Sequence, residues 1–340
     1  MSPPSGPYPV HHDPQPQPGR AALTGATGFL GSAVLAALDA RGHETAALTR
    51  TAPQPTRPSP RTPSGRAATP SNAATTLVVG DLADDRALAE LCSDARILVH
   101  AASYVGSDPE RQRETNVRGT RALMAAARRA GVQRIVYLST AGVYGGALGP
   151  GLREDEAVVR PRSSLSASRR DAEDVVLEQG GIVIRPHLVH GAGDRWFLSQ
   201  VLTVMSGLGA WIGGPDVTLS VVGRQRLGEM VAAAALHATP GTIYHAAERP
   251  PTRIRELVEP VFARAQVPLP RRTLSPAQTA ELLKPKGITR EQVDLIGTDS
   301  WFRCDRIWDL LDQQPGALAG RPPTPEDISW YSDFASAHTT

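Results

Sequence analysis

The stretch Thr24-Gly25-Ala26-Thr27-Gly28-Phe29-Leu30-Gly31 constrains this chain more than any other. A short apolar run, Ala21-Ala22-Leu23, precedes it, and apolar residues at helical spacing, Leu30, Val34, Leu35 and Leu38, follow it. That pattern predicts strand, tight turn and helix. Each glycine has its own task in such a turn. Gly25 lets the chain reverse, Gly28 lets backbone amides approach a pyrophosphate, and Gly31 lets the new helix pack closely on the strand. The helix start then offers unpaired N–H groups and a positive dipole end to the anion. The spacing is GxxGxxG and not GxGxxG, so the turn alone is a weak signal, and the rest of the chain has to decide whether it holds a ligand.

Composition narrows the choice. With 340 residues, 41% of them apolar, the chain is long enough for one large domain or two smaller ones. A net charge of +2 gives no global field to recruit nucleic acid or an anionic membrane. No run of eighteen apolar residues exists, so no membrane span is expected. The first residues lack the apolar core of a secretory signal. Cys92 and Cys304 have no metal-ligand spacing, and no HExxH motif or Ser-His-Asp elbow occurs. A reduced, cytoplasmic setting and no metal are the resulting expectations.

Along the chain, residues 1–19 are Pro-rich, with the pair His11-His12, and are expected to be a disordered tail. Strands are expected at Ala21–Leu23, Glu44–Arg50, Thr76–Val79, Arg96–His100, Arg134–Ser139 and Gly181–Arg185. Residues 51–74 have loop composition and form an insertion. Helical spacing falls at Asp84–Cys92, Thr115–Gly131 and 168–178. Strands alternating with helices mean a doubly wound parallel sheet, a Rossmann-type α/β fold over 20–191. Beyond residue 192 the alternation loosens. Helices are expected at Phe197–Met205, Gln225–His237, Arg253–Ala265 and Trp301–Leu311, with a strand at Thr242–His245. Residues 192–340 read as mainly a smaller α/β substrate-binding region.

Six short motifs then fall in order: TGATGFLG at 24–31, GDL at 80–82, HAAS at 100–103, TNV at 115–117, YLSTAGVYG at 137–145 and RPHLVHG at 185–191. Together they resemble the extended short-chain dehydrogenase/reductase family, the relatives of nucleotide-sugar epimerases and dehydratases. The resemblance implies that Gly25, Thr27, Gly28, Phe29, Leu30 and Gly31 lie at the cofactor pyrophosphate. Asp81 and Leu82 would border the adenine, Ala101 and Ala102 the ribose, and Pro186 and Val189 the nicotinamide, with Asn116 supporting the central helix. The end of the second strand reads Thr49-Arg50 with no carboxylate just after it, which favours NADP(H) over NAD.

One part of the family pattern is broken. The usual catalytic Tyr-x-x-x-Lys would fall on the helix after the YLST strand, and the alignment puts Leu165 in the tyrosine slot and Arg169 in the lysine slot. Leucine donates no proton; Arg169 cannot be deprotonated but can still bind the cofactor by holding a ribose or supplying positive charge. Thr140, following Ser139, can still hydrogen-bond a carbonyl. Ser103, Tyr104, Tyr144, His187, Trp196 and Phe197 are the candidate substrate contacts, and Met205 and Trp211 could extend a flat apolar pocket; His187 and His190 could also relay a proton. These features resemble atypical extended members that act as ketoreductases in aromatic polyketide antibiotic pathways. The expected activity is NADPH-dependent reduction of a polycyclic ketone by a monomer or homodimer. A redox-inactive NADP-binding sensor or scaffold, and a nucleotide-sugar epimerase or dehydratase, are the competing readings.

Overall fold

The structure, a computed structural model, describes residues 19–51, 74–312 and 323–337. The tail with His11 and His12, and most of the 51–74 insertion with Arg57 and Arg61, lie outside the described residues.

Among the described residues, seven strands form one parallel sheet: β1 (Arg20–Thr24), β2 (Thr45–Thr49), β3 (Thr75–Val79), β4 (Ala95–His100), β5 (Arg134–Leu138), β6 (Ile182–Pro186) and β7 (Ile243–Ala246). Their order is β7-β6-β5-β4-β1-β2-β3. The order reverses between β1 and β4, where an open α/β sheet has its ligand crevice. The inner strands are covered on both faces and are apolar almost throughout, while the edge strand β3 is largely exposed.

The pleat sends alternate residues to opposite layers. Ala21, Leu23, Ile97, Val99, Val136 and Ile184 pack with helices α1 (Gly31–Asp39) and α6 (Arg224–His237). Ala22, Leu98, Ile135, Tyr137 and Val183 pack with α2 (Asp85–Cys92), α3 (Gly119–Ala130) and α4 (Ser164–Leu177). A third core gathers α5 (Leu198–Leu208), α7 (Ile254–Ala265) and α11 (Pro325–Ala337). Near it lie the shorter α8 (Pro276–Leu283) and α9 (Arg290–Gly297). β7 and α6 both follow residue 191 yet belong to the nucleotide-binding layers, so the chain leaves the sheet and returns to it.

Two sequence expectations need correction. Helix α4 begins at Ser164, because Ser163 caps it reciprocally with Ser166, so Leu165 already lies in its first turn. The helix expected over Trp301–Leu311 is α10 (Asp305–Asp312), while Trp301–Phe302 pairs as a short strand with Pro150–Leu152.

Candidate active site

The glycine turn is built as its composition requires. Gly25 has φ +76°, and a Cβ there would stand 2.7 Å from the Ala102 nitrogen. The Gly28 N–H donates to the Gly25 carbonyl at 2.9 Å. A Cβ on Gly31 would stand 2.0 Å from that same carbonyl oxygen, so Gly31 serves helix packing. Gly25, Thr27 and Gly28 share a cavity of about 730 Å³ with Arg50, Asp81, Leu82, Ala101 and Ala102. Asp81 Oδ1 accepts the Ala83 N–H at 2.8 Å, which leaves Oδ2 as the oxygen for an adenine amino group. These residues fit a dinucleotide: a concave backbone cradle for the pyrophosphate, and a carboxylate at the adenine end. Phe29 and Leu30 lie outside this lining. Phe29 sits 5.7 Å beneath the Arg224 guanidinium, and Leu30 packs against the core.

Behind the cavity a chain of hydroxyls fixes the HAAS loop. His100 Nδ1 lies 2.7 Å from Thr24 Oγ1, and its Nε2 lies 2.9 Å from Thr120 Oγ1. Burial and the nearby Arg169 charge hold His100 down to about 3, so it is neutral. A π-helical turn, Arg113–Arg118, swings Asn116 inward. Its Oδ1 accepts from the Ser103 hydroxyl and the Tyr104 N–H, and its Nδ2 donates to the Tyr104 carbonyl and to Ser168 Oγ.

Helix α4 lies next to this network, which reaches it at Ser168. Helix α4 packs on the turn Ala141–Tyr144, which Thr140 caps. Leu165 is half-buried in the first turn of α4. The Arg169 guanidinium donates to the Leu138 carbonyl and lies 5.3 Å over the Tyr137 ring, while its Nε is buried without a partner among the described residues. Thr140 Oγ1 accepts the Gly142 N–H at 3.0 Å, which leaves the hydroxyl proton to be donated. The Ser139 hydroxyl is buried and unpartnered among the described residues.

Several expected substrate contacts are elsewhere. Tyr144 is buried: its hydroxyl receives Arg185 at 2.9 Å and lies 2.6 Å from His245 Nε2. It is a structural tyrosine. Phe197, Met205 and Trp211 belong to the third core, where burial of apolar area places them. Ser103 and Tyr104 line the cavity that holds the dinucleotide residues, because Asn116 folds their loop over it. Trp196 is the exception, 71% exposed on the loop before α5. His187 packs edge-on to Phe302, and burial pushes it down to about 4. His190 is buried and held low by the same cause. Neither Pro186 nor Val189 borders the dinucleotide cavity; Pro186 is buried at the end of β6 and Val189 is half-buried beyond it.

Comparison with known proteins identifies the family. The family model described as the NAD dependent epimerase/dehydratase family matches residues 21–207. The chain belongs to that family. A 4-hydroxy-2-methyl-3-oxo-4-farnesyl-3,4-dihydroquinoline-1-oxide ketoreductase from Stigmatella aurantiaca is 30% identical over 251 residues, 70% of this chain and 71% of the relative. A 2-alkyl-3-oxoalkanoate reductase from Stenotrophomonas maltophilia is 26% identical over 91% of this chain and 90% of its own. The solved structure of RMD from Pseudomonas aeruginosa complexed with NADPH matches with TM-score 0.61 at 20% identity, covering 93% of this chain and 99% of that one.

This epimerase/dehydratase family member is therefore an NAD(P)-dependent oxidoreductase. Two features of its site escaped the sequence reading. Arg111 lines the dinucleotide cavity. Asp194, fully buried, accepts the Trp196, Phe197 and Leu198 N–H groups and the Tyr331 hydroxyl. The Asp-x-x-Phe-Leu sequence before an apolar helix was the available signal for the cap. The partner from α11, 137 residues away, left none.

Proposed function

We propose that this enzyme is an NADPH-dependent ketoreductase acting on a ketone of a polycyclic aromatic polyketide, of the angucyclinone kind, in antibiotic biosynthesis in the cytoplasm. Arg50 at the end of β2 supports NADP(H): it is exposed, borders the adenosine end of the cavity, and has no carboxylate partner among the described residues. The exposed Trp196 offers a flat wall for a fused-ring substrate.

What supports the reading is the sequence alignment of Leu165 and Arg169 with the family's phenol and lysine; both lie on α4, and Arg169 is anchored to the Leu138 carbonyl. Gly25, Gly28, Asp81, Leu82, Ala101 and Ala102 hold the cofactor, which when bound supplies hydride to the carbonyl carbon. Thr140 donates its hydroxyl proton as a hydrogen bond to the carbonyl oxygen. Arg169 keeps fixed positive charge behind that oxygen. The alkoxide takes its proton from water or from a phenol on the substrate itself. Orientation of the reactants, worth an effective molarity on the order of 10⁵ M or more, sustains the reaction without a positioned acid worth roughly 10²–10⁴-fold.

Single-turnover mixing with NADPH and a panel of polycyclic ketones tests this. Loss of nicotinamide absorbance is the expected result, slowed when the phenol beside the ketone is methylated. Tight NADPH binding with no turnover of any carbonyl compound would overturn the reading in favour of a redox-inactive NADP-binding sensor.

A further inference from the structure

The loop after HAAS carries a cation that none of the family motifs accounts for. Ser103, Tyr104, Val105, Gly106 and Arg111 line the same cavity as the glycine turn. Their loop is held at both ends. Asn116 takes the Tyr104 backbone on both sides, and Gln112 Nε2 donates to the Gly106 carbonyl at 2.6 Å. The Tyr104 ring folds back onto Gly106, where a Cβ would stand 2.3 Å from the phenol oxygen. The Arg111 guanidinium then lies 4.6 Å over that ring. A ring clamped on one side and covered on the other is a rigid platform for a charge.

The charges around the cavity leave Arg111 without an opposite. Arg118 is paired with Glu114. Asp81 is engaged at Oδ1 by a backbone N–H. Arg50 stands at the end of β2, where a 2′-phosphate lies. Arg111 is exposed and has no carboxylate partner among the described residues. The glycine turn, which shares the cavity with it, offers only backbone dipoles to a group bearing two negative charges.

We propose that Arg111, held on the Tyr104 ring, supplies the positive charge for the pyrophosphate of the bound dinucleotide. This rests on the NAD(P) site but not on the ketone: Arg111 is a binding residue for the cofactor whatever the substrate. A charge-assisted contact of this kind corresponds to about tenfold or more in affinity. Binding of NADPH and of NADH, followed by nicotinamide fluorescence, separates the possibilities. In Arg111→Ala both cofactors bind about tenfold more weakly, while 2′-AMP, which has no diphosphate, competes as well as before. Arg111→Lys retains most of the affinity, and Arg50→Ala weakens NADPH alone. Tyr104→Leu, which removes the platform, weakens both cofactors as Arg111→Ala does. Unchanged binding of both cofactors to Arg111→Ala would overturn the proposal. Loss of NADPH affinity alone would also overturn it, since the residue would then read the 2′-phosphate. Failure of every ketone in the turnover assay would leave these binding results intact.

Discussion

Thr140 is the side chain that the proposed reduction sets against the carbonyl oxygen. Its oxygen accepts the Gly142 N–H, and its proton stays free to be donated. Thr140→Val is expected to lower kcat/KM by about 10²-fold, the usual cost of losing one donor to a developing oxyanion, while Thr140→Ser keeps most of it. Steady-state kinetics on the two variants checks this. The histidines near the site set a second expectation. Burial holds His187 down to about 4 and His245 to about 3, so both are neutral throughout the neutral range. Neither changes charge between about pH 5 and 9, so neither should give kcat/KM an inflection there with an aliphatic ketone that lacks a phenol. Stability responds differently. An unfolded histidine titrates near 6.5 and binds a proton that the folded one refuses, so stability is complete above that value. It falls as pH drops toward 4, by up to about 1.4 kcal/mol per pH unit for each such histidine. Thermal melts between pH 7 and 4 check the sign.

At the scale of elements, a buried ion pair joins α4 to the sheet. Arg185 on β6 reaches Glu173 on α4 through Nε at 2.9 Å and Nη2 at 2.5 Å, and its Nη1 holds Tyr144 at 2.9 Å. Arg185 is 2% exposed and Glu173 fully buried. Glu173→Ala leaves an uncompensated guanidinium, and a loss of about 3–5 kcal/mol is expected in denaturant unfolding. The α1–α6 contact is equally close, for a steric reason: a Cβ on Gly228 would stand 2.4 Å from the Ala33 carbonyl oxygen. Most of these elements were legible in the sequence. The apolar runs of β1, β2, β4 and β6 and the glycine turn are local signals, and the structure places them within a residue or two of expectation. The pairs Leu188–His190 with Val221–Gly223, and Ala210–Ile212 with Arg272–Leu274, were not legible, because two or three residues carry no periodicity and the pairing is far apart in sequence. That Phe197, Met205, Trp211 and Tyr144 pack inside the molecule was not legible, because an apolar or aromatic side chain looks the same in the chain whether it lines a pocket or fills a core.

At the scale of the whole molecule, α11 controls the loop that presents Trp196. The Tyr331 hydroxyl accepts the Gly191 N–H at 2.9 Å and donates to Asp194 Oδ2 at 2.8 Å, and Asp327 Oδ1 accepts the Ala192 N–H at 2.8 Å. Tyr331→Phe keeps the ring packing and loses both bonds. KM for the ketone is expected to rise several-fold with NADPH affinity unchanged, and a titration of each ligand separates the two. The placing of β7 has a larger consequence. Ile182–Pro186 is buried along its whole length, and its outer neighbour is supplied by Ile243–Ala246, some sixty residues later. A nascent chain that has left the ribosome only as far as residue 191 therefore has an unpaired apolar edge, the kind that recruits other strands. A fragment cut after residue 191 is therefore expected to self-associate through that open edge, and size-exclusion chromatography of the fragment beside the full chain checks it.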